Sequence, residues 1–221
     1  MAKLYGIGVG PGDAELLTIK AVKTIEKCDV IVAPSAMKGG ESIALNASKD
    51  YIKEGTEVVV MHFPMGKEDT DKKVREIYEF IANKLKEGKN VAFLTIGDAY
   101  VYSTYVHLLK YINERGFEVE TIAGVPSFCA SAAIANVPLV MGENSLKILP
   151  AFKVEEIKDE KYIVLMKVYH HAEKALDFLE AKGFSYVYIK NAGREGQKVL
   201  TNREDILKEK GYMSLIIANR A

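Results

Sequence analysis

Cysteine, surplus charge and long apolar runs are all scarce in this sequence. The two cysteines, Cys28 and Cys129, have no second Cys or His at metal-ligand spacing, so we expect buried, reduced thiols in a cytoplasmic protein. Lysine plus arginine and aspartate plus glutamate both number 30, and this balance argues against general attraction to nucleic acid or to an anionic membrane. No apolar run approaches the roughly 20 residues that span a bilayer, and we expect no secretory signal.

Histidine is also scarce, which limits the catalytic chemistry to be considered. The adjacent His170 and His171 are predicted to open a helix and to point in different directions, so they do not indicate a metal site. His62 is predicted at a strand end and His107 within a helix, and no Ser/His/Asp spacing indicates a hydrolytic triad. We therefore expect neither a metal centre nor a hydrolase.

Short apolar runs alternate with helical patterns along most of the chain. In the first half this alternation predicts an α/β lobe with a mostly parallel sheet, and two of its helices are expected over 15–27 and 102–114. A candidate linker over 123–126 follows. The second half repeats the alternation with shorter helices, which predicts a second α/β lobe with more antiparallel pairing. We therefore place the two lobes at 1–122 and 123–221.

A glycine-rich turn, with four glycines over 6–12, follows the first predicted strand. Such a turn lets a ligand approach the backbone closely, as in dinucleotide-binding folds. The spacing argues against that fold, because the third glycine of a pattern starting at Gly8 falls on Asp13. In addition, the second strand ends at Pro34 instead of an acidic residue that would bind a ribose. A nicotinamide oxidoreductase is therefore disfavoured, and Asp13 or Thr18 is expected near a helix start.

A second turn, over 94–99, joins the end of a buried strand to a glycine and an acid. Ligands of open α/β sheets collect at the carboxyl ends of strands. Gly97 would allow a ligand to come close, and Asp98 would accept a hydrogen bond from an amine or a ribose. An equally ordinary role for Asp98 is to cap the next helix. The hydroxyl groups that follow either line a polar pocket or cap that helix, and they belong to Tyr102, Ser103, Thr104 and Tyr105.

Four segments, taken in order, resemble the tetrapyrrole methylase family. Its opening motif is matched by GVGPGDAELLT at 8–18, and its Gly-Asp-Pro loop by LTIGDAYVYSTY at 94–105. Its turn between the lobes is matched by AGVPSFCASAA at 123–133, and a second-lobe strand with a cofactor-contacting Met by IVLMKV at 163–168. Each motif has low specificity alone, whereas the ordered set across the whole length is specific.

The resemblance implies two α/β lobes with the active site between them, S-adenosylmethionine as cofactor, and a homodimer. In this family the loop at Ala99 usually carries Pro, and position 126 usually carries Thr. Asp98 and Tyr102 are the residues expected to take the proton that leaves the substrate. Carried over residue by residue, the residues expected around the cofactor are Pro11, Ile96, Gly97, Asp98, Val101, Tyr102, Ser103, Thr104, Pro126, Ser127, Leu165, Met166 and Ala192.

Three further segments, VYSTY, SFCASAA and ENSLKILPA, are similar to one branch of the family. That branch methylates C20 of precorrin-2, or of its cobalt complex cobalt-factor II, in cobalamin biosynthesis. The resemblance therefore implies a carboxylate-rich tetrapyrrole substrate. Basic side chains are expected to bind its carboxylates or else to be solvated on the surface, and these are Lys38, Lys190, Arg194 and Lys198.

Three alternatives stay open at this stage. The chain could be another member of the family, such as a uroporphyrinogen-III methyltransferase, a diphthine synthase or an rRNA methyltransferase. A nicotinamide oxidoreductase is a different enzyme class, which cofactor binding would identify. A metabolite-binding or scaffold protein that keeps the fold without turnover is the non-enzymatic alternative.

Overall fold

A computed structural model describes residues 2–36, 39–63 and 70–221 of the chain. The backbone forms two compact units, which we call the first lobe (Met1–Pro126) and the second lobe (Ser127–Ala221). The sequence places this division slightly earlier, between 122 and 123.

The first lobe contains a five-stranded sheet in the order β3-β2-β4-β1-β5, and every neighbouring pair is parallel. The predicted parallel α/β lobe is therefore confirmed. Its strands are β1 (Lys3–Gly8), β2 (Val30–Ser35), β3 (Glu57–His62), β4 (Val91–Thr95) and β5 (Glu118–Ile122). Its helices are α1 (Ile19–Ile25), α2 (Ile43–Ser48), α3 (Thr70–Lys86) and α4 (Tyr105–Asn113).

The central strands β1 and β4 of this sheet are apolar apart from one polar residue at an end of each, because helices cover both faces. Leu4 and Phe93 belong to the cluster that packs against α3 and α4. Ile7 and Leu94 belong to the cluster on the opposite face, against α1 and α2. Burial on both faces is typical of parallel sheets, and it explains why β1 and β4 lack polar alternation. The parallel arrangement also brings the carboxyl ends of all five strands to one edge, where we look for the site.

Two helices of the first lobe begin later than the sequence predicts. In the predicted helix at 15–27, Asp13 first caps a separate 3-10 turn, and Thr18 then caps α1 by accepting a hydrogen bond from the Ala21 amide at 3.1 Å. In the predicted helix at 102–114, Tyr102 has a left-handed φ of 50°, so α4 begins only at Tyr105. The hydroxyl-bearing segment before Tyr105 is therefore a loop.

The second lobe contains a mixed sheet in the order β6-β7-β10-β8-β9. Only β6 and β7 pair in parallel; the remaining pairs are antiparallel, as predicted. Its strands are β6 (Leu146–Pro150), β7 (Tyr162–Met166), β8 (Ser185–Lys190), β9 (Lys198–Leu200) and β10 (Ser214–Asn219). Its helices are α5 (Ser127–Ala135), α6 (Ala172–Ala181) and α7 (Arg203–Lys208).

The two cysteines differ in burial, so the expectation of two buried thiols is correct for only one. Cys28 is buried, and burial raises the pKa of its thiol to about 12. Cys129 is exposed, which contradicts the expectation. The reason is that α5 packs Phe128 and Ala132 against the sheet, and Cys129 is not part of that apolar cluster.

Two structural features are absent from the described ranges. No helix there combines the length and the apolar character that a membrane span requires. The same residues contain no group of three or more His, Cys, Asp or Glu side chains placed to hold a metal ion.

Gly6, in the middle of β1, leaves room for the ring of Tyr105. A Cβ at Gly6 would lie 2.0 Å from Cζ of Tyr105. That ring is fully buried and stacks with Phe93 at a centroid distance of 6.1 Å. Its hydroxyl is 2.7 Å from Oγ1 of Thr121, so the ring is fixed at both ends.

We expect Gly6→Ala to lower the free energy of unfolding by about 3 kcal/mol, because the added methyl group overpacks a fixed ring. Urea unfolding of the purified protein measures this loss. Gly88→Ala is the control: it has φ 82° and open space around its Cβ. Only the left-handed conformation opposes that change, at about 1 kcal/mol. Equal losses in the two variants would contradict the steric explanation.

Candidate active site

Three loops meet at the carboxyl edge of the first-lobe sheet through glycines that pack backbone against backbone. A Cβ at Gly8, which ends β1, would lie 2.6 Å from the amide nitrogen of Gly124 and 2.8 Å from the carbonyl oxygen of Gly97. A Cβ at Gly124 would lie 2.3 Å from that same oxygen. We call these three residues the glycine contact. Packing of the loops on one another already requires Gly8 and Gly124, whether or not a ligand binds.

Hydrogen bonds join the first two of these loops. The Gly97 amide donates to the Gly10 carbonyl at 2.6 Å, and the Gly10 amide donates to the Gly97 carbonyl at 3.1 Å. Both glycines have a left-handed φ, 72° for Gly10 and 75° for Gly97. Pro11 is buried directly after this bridge. A side chain at Gly97 would therefore strain the backbone as well as hinder a ligand, so loss of binding in such a variant would not by itself locate the cofactor.

Asp98 connects the second and third loops. One carboxylate oxygen accepts a hydrogen bond from the Tyr100 amide at 2.9 Å, and the other accepts from the Gly124 amide at 3.0 Å. Both oxygens thus already have a backbone partner. Asp98 does not cap a regular helix, because residues 99–104 form the loop that precedes α4.

The loop between Asp98 and α4 carries most of the predicted hydroxyl groups. Oγ of Ser103 accepts a hydrogen bond from the Tyr105 amide at 3.0 Å and so starts α4. Thr104 is the N-cap residue but makes no capping bond through its side chain. The Tyr102 side chain is 49% exposed on a left-handed backbone. Such a conformation costs a non-glycine residue about 1–2 kcal/mol, and strain of this kind clusters at functional sites.

The second-lobe candidates lie at the carboxyl ends of β7 and β8. Met166 ends β7, Ala192 follows β8, and both are partly buried against the same apolar cluster beside α5, the helix that begins at Ser127. Leu165 differs: it is fully buried in the cluster on the opposite face of the sheet. Only the backbone of Leu165 is therefore available to a ligand on the Met166 side.

Two of the four predicted partners of substrate carboxylates are already paired. Nζ of Lys190 lies 2.8 Å from Glu209, and Lys198 contacts the other oxygen of the same carboxylate. Lys38 lies outside the described residues. Arg194 forms no ion pair with any residue that the structure describes.

A pocket of about 560 Å³, which was not predicted from the sequence, lies at the carboxyl ends of β2 and β3. Within the described ranges, Nδ1 of His62 is buried and has no hydrogen-bond partner. Both strands end in a polar residue, and parallel pairing brings Ser35 beside His62, so the strand order would have indicated this position. The lining residues are Ser35, Gly39, Gly40, Glu41, Ser42, Leu45, Asn46, Val60 and His62.

The role of Asp98 as a connection between loops can be tested by its removal. We expect Asp98→Ala to lower the free energy of unfolding by about 2 kcal/mol, because two backbone amides lose a charged acceptor. Asp98→Asn should lose nearly as much, since one of its two side-chain positions becomes a donor. Asp13→Ala is the control: Asp13 accepts one hydrogen bond from Glu15 at an exposed turn, so we expect about 1 kcal/mol or less. Denaturant unfolding compares the three, and an Asp98→Ala protein as stable as the wild type would contradict this role.

Comparison with known proteins agrees with the resemblance seen in the sequence. Residues 3–207 match the family described as Tetrapyrrole (Corrin/Porphyrin) Methylases. The chain is 38% identical to the probable cobalt-precorrin-2 C(20)-methyltransferase of Methanocaldococcus jannaschii, over 99% of this chain and 96% of that protein. It is 31% identical to the cobalt-precorrin-2 C(20)-methyltransferase of Salmonella typhimurium, again over 99% and 96%.

Solved structures share the fold. A cobalt precorrin-4 methyltransferase superposes with a TM-score of 0.78 at 22% identity, over 98% of this chain and 94% of that one. The uroporphyrin-III C-methyl transferase of Thermus thermophilus, complexed with S-adenyl homocysteine, has a TM-score of 0.74 at 18% identity, over 99% and 98%. With its two α/β lobes, its ordered motifs and a family match across most of its length, the chain belongs to the tetrapyrrole methylase family.

Proposed function

We propose that this protein transfers a methyl group from S-adenosylmethionine to C20 of cobalt-factor II, in cobalamin biosynthesis. The observation that carries the proposal is the similarity, over nearly the whole length of both chains, to two relatives named for C20 methyl transfer on cobalt-precorrin-2. Because both names specify the cobalt form, we favour the metal-loaded ring over metal-free precorrin-2.

The first-lobe residues fit a polar, partly cationic cofactor. Within the described ranges, Oγ1 of Thr95 is buried without a hydrogen-bond partner at the end of β4. Buried hydroxyl groups nearly always have a partner, so this oxygen is suited to a polar group of a ligand. Asp98 adds a fixed negative charge close by, which favours an ammonium or sulfonium group.

The residues proposed to hold the cofactor comprise two chemically different sets. In the first lobe they provide backbone groups, hydroxyls and the Asp98 carboxylate, and in the second lobe they provide the apolar side chains of Met166 and Ala192 together with the Ser127 hydroxyl and the Leu165 backbone. The first set is Pro11, Ile96, Gly97, Asp98, Val101, Tyr102, Ser103, Thr104 and Pro126. The second set comprises Ser127, Leu165 through its backbone, Met166 and Ala192.

The reaction needs little general acid–base catalysis from the protein. S-adenosylmethionine, when bound, supplies an electrophilic methyl carbon on its sulfonium. The chain's main contribution is orientation, which supplies roughly 7–11 kcal/mol of barrier reduction in well-aligned systems. A proton then leaves C20. We propose that Tyr102, with its exposed hydroxyl-bearing ring, relays this proton to water: the phenol oxygen accepts it while the phenol O–H gives its own proton to solvent. Asp98 is a positioning residue, because both of its oxygens already bind backbone amides.

The substrate assignment predicts a single product. We expect the purified protein, given S-adenosylmethionine and cobalt-factor II, to add one methyl group at C20, read by mass spectrometry and NMR. Parallel incubation with metal-free precorrin-2 should give slower turnover. Methylation at another ring carbon would reject the C20 assignment, and turnover of the metal-free ring alone would reject the cobalt preference. Methylation of RNA or protein, with neither ring modified, would reject the proposed substrate class.

We also propose that the protein is a homodimer at micromolar concentration. The edge strand β3 of the first lobe exposes two apolar side chains on one face, Val58 at 41% and Val60 at 43%, and adjoining exposed apolar groups suit an interface. Light scattering should report about twice the 24.5 kDa chain mass. A species of the single-chain mass at all concentrations tested would contradict the proposal.

A further inference from the structure

Arg194 is a half-buried cation that the described part of the chain leaves uncompensated. One terminal nitrogen, Nη2, donates to the Oδ1 atom of Asn191 at 2.9 Å, which is a neutral partner. Nε is buried and has no hydrogen-bond partner there. Burial lowers the pKa of Arg194 below its ordinary value, which reflects the loss of water without the gain of an acid.

Two other arginines, Arg203 and Arg220, have well-matched partners. Arg203 binds Asp177 and Glu180, the latter at 3.1 Å. Nη2 of Arg220 donates to the Lys158 carbonyl at 2.7 Å, and the guanidinium stacks on a phenylalanine ring. Arg194 therefore differs from these two in having neither an acid, a backbone carbonyl nor an aromatic face as a partner among the described residues; its one partner is the side-chain amide of Asn191.

The loop that carries Arg194 is held by its own side chains. Asn191 has a left-handed φ of 50°, and its Nδ2 donates to the Glu195 carbonyl at 3.2 Å. The Gly193 amide donates to Oε1 of Gln197 at 2.8 Å. Both ends of the loop are anchored in the antiparallel pair β8 and β9. This arrangement fixes the guanidinium before any ligand arrives, which reduces the entropy lost on binding.

The neighbouring cations differ from Arg194 in that each already has an acidic partner. Lys190 and Lys198, at the facing ends of β8 and β9, share the carboxylate of Glu209. An acidic ligand that reaches this loop therefore meets a guanidinium without an acidic partner, beside two lysines that share one carboxylate and keep one net positive charge. Ala192, a proposed cofactor contact, is only two residues away along the same loop.

We infer that Arg194 binds a carboxylate group of a ligand. The planar guanidinium matches a carboxylate with two parallel hydrogen bonds, and an ordered loop favours that fixed geometry. The inference rests on the proposed function, because both of its ligands carry carboxylates: the amino-acid end of the cofactor and the side chains of the ring. Either source satisfies the same chemistry, and binding measurements separate the two.

The first experiment compares wild type, Arg194→Gln and the control Arg203→Gln. S-adenosylhomocysteine is titrated by calorimetry, and uroporphyrin III, a stable carboxylate-rich tetrapyrrole, by absorbance. We expect Arg194→Gln to weaken one of the two ligands at least about tenfold, as loss of a hydrogen bond to a charged group does, and Arg203→Gln to weaken neither. Weaker S-adenosylhomocysteine binding, with equal binding of decarboxylated S-adenosylmethionine to both proteins, identifies the cofactor carboxylate. Weaker uroporphyrin binding identifies the ring.

The second experiment distinguishes ligand binding from a structural role. Without ligand, we expect Arg194→Gln to be at least as stable to heat as the wild type, because a half-buried charge without a counterion is removed. With ligand, its Tm should rise less than that of the wild type. A loss of ligand-free stability together with an unchanged ligand-induced Tm shift would overturn the inference.

The outcomes also separate this inference from the proposed function. Equal binding of both ligands by wild type and Arg194→Gln would overturn the role of Arg194 and leave the proposed function intact. A wild-type protein that binds neither ligand would overturn both.

Discussion

Backbone packing among Gly8, Gly97 and Gly124 is the constraint on which the first-lobe site depends. Their Cα atoms carry no side chain, so the loops after β1, β4 and β5 approach to distances that a Cβ would prevent. The paired hydrogen bonds between Gly10 and Gly97, and those that Asp98 accepts, then hold this arrangement. Pro11, Ile96 and Pro126 lie in the same loops, and the glycine contact therefore sets the position of the proposed cofactor contacts in this lobe.

The two lobes could be predicted from the sequence because buried strands are recognisable by their runs of apolar residues. The central strands β1 and β4 are covered on both faces and are accordingly apolar between their ends, which distinguishes them from the helices. The mixed pairing of the second lobe followed from the same alternation with shorter helices. These are properties of neighbouring residues, and local patterns are enough to show them.

Helix starts were predicted less well, because single hydrogen bonds decide them. The apolar periodicity continues across Thr18. The Thr18 side chain nevertheless accepts a hydrogen bond from the Ala21 amide, and α1 begins at the next residue, Ile19. In the same way, Ser103 accepts a hydrogen bond from the Tyr105 amide, and α4 begins at Tyr105. Consecutive residues of a strand face opposite sides of the sheet. This rule alone predicts that the side chains of Leu165 and Met166 cannot both contact the same ligand.

Contacts between distant parts of the chain could not be predicted from one sequence. Lys190 and Lys198 were expected to be available to substrate, but both form ion pairs with Glu209, which follows α7. The glycines of the first turn were expected to admit a ligand. In the structure Gly8 instead packs against Gly124, which is more than 100 residues away in the sequence. In each case the partner is remote in the chain, and only the folded structure brings it into contact.

The strand order has a consequence for folding during synthesis. β1 lies between β4 and β5, and these are its two partners in the sheet. During translation β1 therefore leaves the ribosome long before either partner exists. Its apolar residues Leu4 and Ile7, which are fully buried in the folded protein, have no native strand to pair with until synthesis reaches Thr95, and the second partner strand is complete only at Ile122. Such late, non-local pairing folds slowly and leaves an apolar segment exposed in the meantime, so β1 presents a binding site for chaperones in the nascent chain.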